Sequence, residues 1–169
     1  LRRYLMKIRP VILCGGAGTR LWTQGRNNLA KQFIDFGGWS LLEKTLERIK
    51  GSNFDYPILS TNIKYLKLIK AYLKKFKVKK YKIILEPSKR NTAPAILSSA
   101  LIQDIPNDQA LMYLSADHLI DKVSKFNKAI NKNKSNLTSQ NIFIFGIKPT
   151  SPSSEYGYFI TSKVKGNIN

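Results

Sequence analysis

Hydrophobic and polar positions change period repeatedly along this chain. Ile8 to Cys14 is a short apolar run, suited to a strand buried on both faces of a sheet. Ser40-Leu-Leu-Glu43 then has the form of a capping box, and Leu46 and Ile49 continue an apolar stripe until basic residues and Gly51 stop it, which predicts a helix over 40–50. Tyr56 to Ser60 predicts a second strand. Ile63, Leu66, Ile69, Leu73 and Phe76 recur at helical spacing with lysines on the other faces, so an amphipathic helix follows. Tyr81 to Leu85 predicts a third strand. Asn91 is placed to cap a helix through Ala93, Ile96, Ala100 and Leu101, with Pro94 tolerated in the first turn. Ala110 to Ser115 predicts a fourth strand, and Asp121 is placed to cap a helix whose inner stripe is Val123, Phe126 and Ile130. Asn141 to Ile147 predicts a fifth strand, and Ser151 to Ser154 a loop.

Strands alternating with helices argue for a parallel-type α/β sheet, whose ligands sit beyond the carboxyl ends of the strands. The polar groups with chemical potential follow those ends: Arg20 after the first strand, Glu86 to Asn91 after the third, Ala116-Asp-His118 after the fourth and Lys148 to Thr150 after the fifth. No internal repeat, long linker or second domain is evident, and Lys132 to Gln140 reads as a polar connection.

Size and composition narrow the classes. A chain of 169 residues can bury about two-thirds of its unfolded surface without staples. No apolar stretch approaches the roughly 20 residues of a membrane span, so no membrane partner is expected. The single cysteine, Cys14, ends an apolar strand and reads as a buried hydrophobe, which fits a reducing cytoplasm. Residues 1–5 precede Met6 and read as a non-native or disordered leader, with 6–169 as the domain. Twenty-nine basic against 10 acidic residues leave a net charge of +19, a field that attracts anions of every kind. The lysines between Lys64 and Lys82 fit a solvated helix face better than a nucleic-acid patch, because paired aromatics on strands are not apparent. Nucleic acid is therefore not the expected partner. A homo-oligomer is compatible with the sequence, which does not define one.

The chemistry begins where the first strand ends. Gly15, Gly16, Ala17, Gly18 and Thr19 form a turn whose main-chain N–H groups can converge on phosphate oxygens, and Arg20 adds permanent charge. A glycine turn that merely reverses the chain is the plain alternative. Neither a P-loop nor a dinucleotide fingerprint fits, since no Lys-Ser/Thr follows in register and Leu21 holds the place of the last glycine. On their own, Lys31 and Asp117 read sooner as an exposed lysine and a turn-capping acid than as a phosphate contact and a metal ligand. His118 is the only histidine, and a residue orienting a neighbour suits it better than proton transfer.

Taken together, Gly15-Gly-Ala-Gly-Thr-Arg-Leu-Trp22, Lys31-Gln-Phe33, Leu85-Glu-Pro-Ser-Lys-Arg-Asn-Thr-Ala-Pro-Ala95, Ser115-Ala-Asp-His118, Phe145-Gly-Ile-Lys-Pro-Thr150 and Tyr156-Gly-Tyr158 resemble the mannose-1-phosphate guanylyltransferases from about Met6 to Phe159. The resemblance implies a three-layer, Rossmann-like nucleotide-diphospho-sugar transferase fold with a mostly parallel sheet, of which this chain is the amino-terminal portion. It implies a guanylyl transfer from GTP to mannose 1-phosphate with Mg²⁺. Arg20 and the loop amides would grip the triphosphate, Lys31 would sit near the transferred phosphoryl group, and Asp117 would ligate Mg²⁺. Glu86, Arg90, Asn91 and Thr92 would read the base, and Tyr156 and Gly157 would contact the sugar.

The chain departs from the family pattern at Thr23 and Ala30, where proline is usual, and at Glu155, where glycine is usual. Two other readings stand beside the resemblance: a sibling enzyme for another nucleotide or sugar phosphate, and a regulatory or nucleic-acid-binding domain that retains the fold.

Overall fold

A computed structural model of the chain describes residues 7–15, 30–88, 91–154 and 156–159. It divides into two units, Leu1–Asn136 and Leu137–Asn169. The first unit holds every strand and helix among the described residues: β1 (Arg9–Leu13), α1 (Leu41–Arg48), β2 (Ile58–Asn62), α2 (Leu66–Lys75), β3 (Lys82–Glu86), α3 (Thr92–Ala100), β4 (Leu111–Ser115) and α4 (Val123–Lys134). Short 3₁₀ turns at Lys31–Phe33 and Ile63–Tyr65 precede α1 and α2.

The sheet has the order β3-β2-β1-β4, and each neighbouring pair is parallel. Successive side chains of β1 alternate between two apolar clusters. Ile12 joins Leu42 and Leu46 of α1, Ile69 and Leu73 of α2 and Ile130 of α4 on one face. Val11 joins Ile58 and Ile105 on the other, where Ile102 also packs. On that second face the Tyr113 hydroxyl meets the Ile96 carbonyl oxygen and the Ser99 hydroxyl of α3. Helices therefore cover both faces, and the expected three-layer parallel α/β architecture is present.

Proline inside a central strand is uncommon because it lacks a ladder donor. Pro10 is accommodated because pairing of β1 with β2 starts only at Val11, whereas the N–H of Arg9 points the other way, to Ala110 O at 2.9 Å. The missing donor falls where no partner strand has begun.

The capping box of α1 is complete: Ser40 Oγ accepts from Glu43 N–H, and Glu43 Oε2 accepts from Ser40 N–H at 2.7 Å. Lys75 Nζ, from α2, donates to the other carboxylate oxygen at 2.5 Å. Such a cap stabilises by about 0.5–2 kcal/mol. Two other predicted caps are corrected. Asn91 does occupy the N-cap position of α3, but its backbone lies at φ 61°, ψ −163° and its side chain makes no cap hydrogen bond. That backbone region is costly for any residue with a Cβ. Asp121 lies one residue too early to cap α4, which starts at Val123 with Lys122 as its uncapped N-cap. Strand boundaries shift by one or two residues from the expected ones, with β2 running to Asn62 and β3 to Glu86.

The fifth strand is also corrected. Residues 141–147 carry no strand, and Ile142, Ile144 and Ile147 are 91%, 70% and 85% exposed. A strand is held by a hydrogen-bonded neighbour, and the described residues of the second unit contain none. That unit is instead organised locally: the Tyr158 hydroxyl donates to Ser153 O at 2.9 Å and accepts from Ser153 N–H at 2.7 Å. The leader at 1–5, Met6, Thr23 and Glu155 lie outside the described residues.

At the amino edge of the sheet a polar brace joins three segments. Arg9, 3% exposed, donates to Asp55 Oδ2 at 2.8 Å, to Gln109 Oε1 and to Tyr56 O, and its guanidinium lies 3.6 Å from the Tyr56 ring centroid. Burial pushes the Asp55 carboxyl up, but hydrogen bonds from Gln109 and the Tyr56 amide, with the charges of Arg9 and Lys80, outweigh it and hold the carboxyl below its ordinary value. A depressed carboxyl contributes stability at pH above the unfolded value of about 3.9 and loses it as pH falls through the folded value. Asp55→Asn is expected to lower the thermal midpoint at neutral pH and to flatten the acid loss below about pH 4, as measured by thermal melts across pH; an unchanged acid limb would remove Asp55 from that role.

Candidate functional site

The topology brings the polar strand ends to one edge. Leu13 of β1 is paired with Ser60 of β2 on one side and with Ser115 of β4 on the other. The chain then leaves β1 through Cys14 and Gly15 and leaves β4 through Ala116 and Asp117. Two hydrogen bonds carry the pairing past the strands: Cys14 N–H donates to Ser60 O at 2.7 Å, and Ala116 N–H donates to Leu13 O at 3.2 Å. The start of the glycine loop and the Asp117 turn are therefore neighbours across adjacent parallel strands.

Four further groups converge on this edge. Ser60 Oγ donates to Glu86 Oε1 at 2.5 Å, which draws the Glu86 carboxylate from the end of β3 across β2 toward β1. A Cβ built on Gly15 would lie 3.1 Å from Glu86 Oε2 and 3.2 Å from Oε1. Glycine here permits the carboxylate to lie against the backbone where the loop begins. Asn62 Nδ2 donates to Glu86 O at 3.1 Å, fixing the main chain at the end of β3. Gln32, 3% exposed, donates through Nε2 to Cys14 O at 2.9 Å. The turn that begins with Lys31 is thereby tied to the residue preceding Gly15.

Asp117 is half-buried, and one of its carboxylate oxygens accepts a hydrogen bond from Ser115 Oγ. Among the described residues its other oxygen has no hydrogen-bond partner, and magnesium sites commonly combine one or two carboxylates with water and substrate phosphates. The donor chemistry suits a hard cation, although the described residues contain no cluster of three or more potential metal ligands. His118 is exposed and contributes its main-chain carbonyl, which accepts from Arg48 Nη2 at 3.3 Å.

Of the expected site residues, Gly15, Lys31, Glu86, Asn91, Thr92 and Asp117 lie at or follow this edge. Asn91 and Thr92 begin α3, whose first turn faces the carboxyl end because α3 directly follows β3. The N–H groups of a helix's first turn and its dipole favour an anion. Gly16, Ala17, Gly18, Thr19, Arg20 and Arg90 lie outside the described residues. Tyr156 and Gly157 belong to the second unit, where Tyr156 is 73% exposed and a Cβ on Gly157 would meet nothing within 4 Å.

Sequence reasoning passed over Ser60, Gln32, Asn62, Ser115 and Arg48 as site components. Ser60 and Ser115 carried a weak signal, each being a hydroxyl at the end of an apolar strand, where an unpaired polar group would be costly.

Cys14 is wholly buried, and desolvation, reinforced by the Glu86 charge, pushes its thiol far above the ordinary range. The reading of Cys14 as a buried hydrophobe agrees with this.

The profile of the "Nucleotidyl transferase" family matches residues 9–168. Mannose-1-phosphate guanylyltransferase from Escherichia coli is 40% identical over 159 residues, covering 92% of this chain and 34% of the relative. Mannose-1-phosphate guanylyltransferase RfbM from Salmonella typhimurium is 35% identical over 166 residues, covering 96% of this chain and 35% of the relative. The chain thus spans about a third of the length of the curated relatives it matches. Among solved structures, one described as mannose-6-phosphate isomerase from Helicobacter pylori has a TM-score of 0.61 at 28% identity, covering 77% of this chain and 46% of the other. One described as mannose-1-phosphate geranyltransferase from Thermus thermophilus has a TM-score of 0.58 at 29% identity, covering 75% of this chain and 37% of the other.

Because only the thiolate is nucleophilic, Cys14 is expected to resist iodoacetamide at pH 8 in the folded chain and to react once denaturant is added. Mass spectrometry of the alkylated protein checks this, and rapid native labelling would contradict the buried placement.

Proposed function

The chain belongs to the nucleotidyl transferase family, and from that premise we propose that the whole protein transfers a guanylyl group from GTP to mannose 1-phosphate, forming GDP-mannose and pyrophosphate. The observation that carries this reading is the register of β1 and β4: Leu13 opposite Ser115 sets Gly15, where the glycine run starts, beside Asp117. The similarity to relatives named for this activity supports the choice of guanylyl and mannose substrates.

A phosphate oxygen of mannose 1-phosphate attacks the α-phosphorus of GTP. The new P–O bond forms as the bond from that phosphorus to the α,β-bridging oxygen breaks, and pyrophosphate leaves with the electron pair. The nucleophile is already anionic at neutral pH, so no general base is required. Catalysis rests on holding two anions in line and neutralising the leaving group.

In this reading Gly15, Gly16, Ala17, Gly18 and Thr19 supply loop amides to the triphosphate, with Arg20 adding positive charge. Lys31, on the turn tied to Cys14 by Gln32, serves the transferred phosphoryl group. Asp117 would hold Mg²⁺, which when bound would neutralise charge on the phosphates. Glu86, Arg90, Asn91 and Thr92 read the base. A carboxylate suits guanine, whose ring N–H and amino group are adjacent donors. Tyr156 and Gly157 contact the sugar. A cytoplasmic setting belongs to the same reading and agrees with an unpaired, buried cysteine. No described helix is long and apolar enough to cross a membrane.

In the whole protein Arg20→Ala and Asp117→Ala are each expected to slow pyrophosphate release by roughly 10²–10³-fold, measured with GTP and mannose 1-phosphate. Near-wild-type rates in either variant would remove that residue from the mechanism. Titrating the present chain with GTP, dTTP, UTP and ATP is expected to show saturable, Mg²⁺-dependent binding strongest for GTP. Preference for another nucleotide would favour a sibling activity, and salt-sensitive RNA binding without Mg²⁺ would favour a non-catalytic domain.

A further inference from the structure

Arg48 is the last residue of α1 and is 2% exposed, yet among the described residues no carboxylate pairs with it. Burial of such a cation without an anionic partner is costly. The protein meets part of that cost with neutral acceptors. Arg48 Nη2 donates to Thr45 Oγ1 at 2.7 Å and to His118 O at 3.3 Å, and Thr45 Oγ1 in turn donates to Leu41 O at 2.9 Å. The guanidinium also lies 5.5 Å from the ring centroid of Phe126 in α4, while its Nε has no hydrogen-bond partner among the described residues. The side chain thus links α1, α4 and the turn after β4. Were packing alone at stake, an apolar side chain of similar volume would serve at lower cost.

The only one of these contacts that leaves the helical layer is the hydrogen bond to the carbonyl of His118, one residue from Asp117. Asp117 is held from its other side by Ser115 Oγ. Between them, the two bonds restrain the backbone on one flank of Asp117 and its carboxylate on the other. We infer that Arg48 is a positioning residue: its buried guanidinium fixes the Asp117–His118 turn and so sets the direction in which the Asp117 carboxylate is presented at the carboxyl edge of the sheet. The functional arm of this inference rests on the proposed role of Asp117 as a metal ligand. The structural arm does not.

Arg48→Met keeps an unbranched, apolar side chain in the buried space and removes every donor. In the whole protein, hydrogen–deuterium exchange of the segment 115–120 is expected to quicken by about tenfold, the order of one charge-assisted hydrogen bond, while β1 and β2 keep their protection. The Mg²⁺ concentration for half-maximal rate is expected to rise roughly 10–100-fold, as for other groups that orient a metal ligand. Arg48→Lys, which retains charge and a donor, is expected to lie between Met and wild type in both readouts. Unchanged exchange in 115–120 would overturn the inference, and so would an unchanged Mg²⁺ requirement in a protein that is otherwise active. If the wild-type protein has no Mg²⁺-dependent guanylyl transfer, the functional proposal fails while the exchange comparison still decides the placement of Arg48. Should the Met variant not fold, Thr45→Val, which removes the acceptor beneath the guanidinium, carries the exchange comparison. Quickened exchange confined to 115–120 supports the inference, and none overturns it.

Discussion

Everything at the candidate site depends on the parallel pairing of β1 with β4. Parallel strands deliver their carboxyl ends to the same edge, and the Leu13–Ser115 register brings those of β1 and β4 level. Had β4 run antiparallel, its carboxyl end would lie at the opposite edge, roughly 15 Å from that of β1 for a five-residue strand at about 3.3 Å per residue, and Asp117 would be farther still from Gly15. The glycine loop and the acid are separated by about a hundred residues in sequence, and it is this ladder that makes them neighbours.

Around that pairing the buried polar groups do unequal work. The cluster of Arg9, Asp55, Tyr56 and Gln109 at the amino edge neutralises its charge internally and acts as a brace. The groups at the carboxyl edge are different: Ser60 holds Glu86, Gln32 holds the Cys14 carbonyl, Ser115 holds Asp117 and Arg48 holds the turn behind it. Each fixes one element of the candidate site, and each uses short polar side chains or a buried cation instead of an extended ion-pair network. Groups held in this way are oriented in advance, which lowers the ordering cost of binding any ligand they contact.

The layers and the order of elements were legible because they are written in local periodicity. Four apolar runs between helical patterns read as buried strands and are strands, and the Ser40–Glu43 box announced α1 through two reciprocal hydrogen bonds between residues three apart. Where sequence reasoning failed, the deciding factor was not local. Asn91 has the side chain of a cap, but its backbone lies at φ 61°, ψ −163° and its side chain makes no cap hydrogen bond. The segment 141–147 has strand-forming residues, but propensity without a partner ladder leaves Ile142 and Ile147 in solvent. Ser60, Gln32 and Arg48 were invisible as site components because their partners lie 26, 18 and 70 residues away.

By itself, the sequence determined the class of fold, the inert nature of Cys14 and the set of polar residues that end strands. These follow from hydrophobic period and backbone freedom, which each short segment carries within itself. Tertiary structure alone decided that Gly15 and Asp117 leave adjacent strands, that the Glu86 carboxylate crosses β2 to lie against Gly15, and that a buried arginine of α1 supports the turn after β4. Those relations depend on strand order and register, which no segment encodes alone, because they arise only when the apolar faces of distant elements are buried against one another.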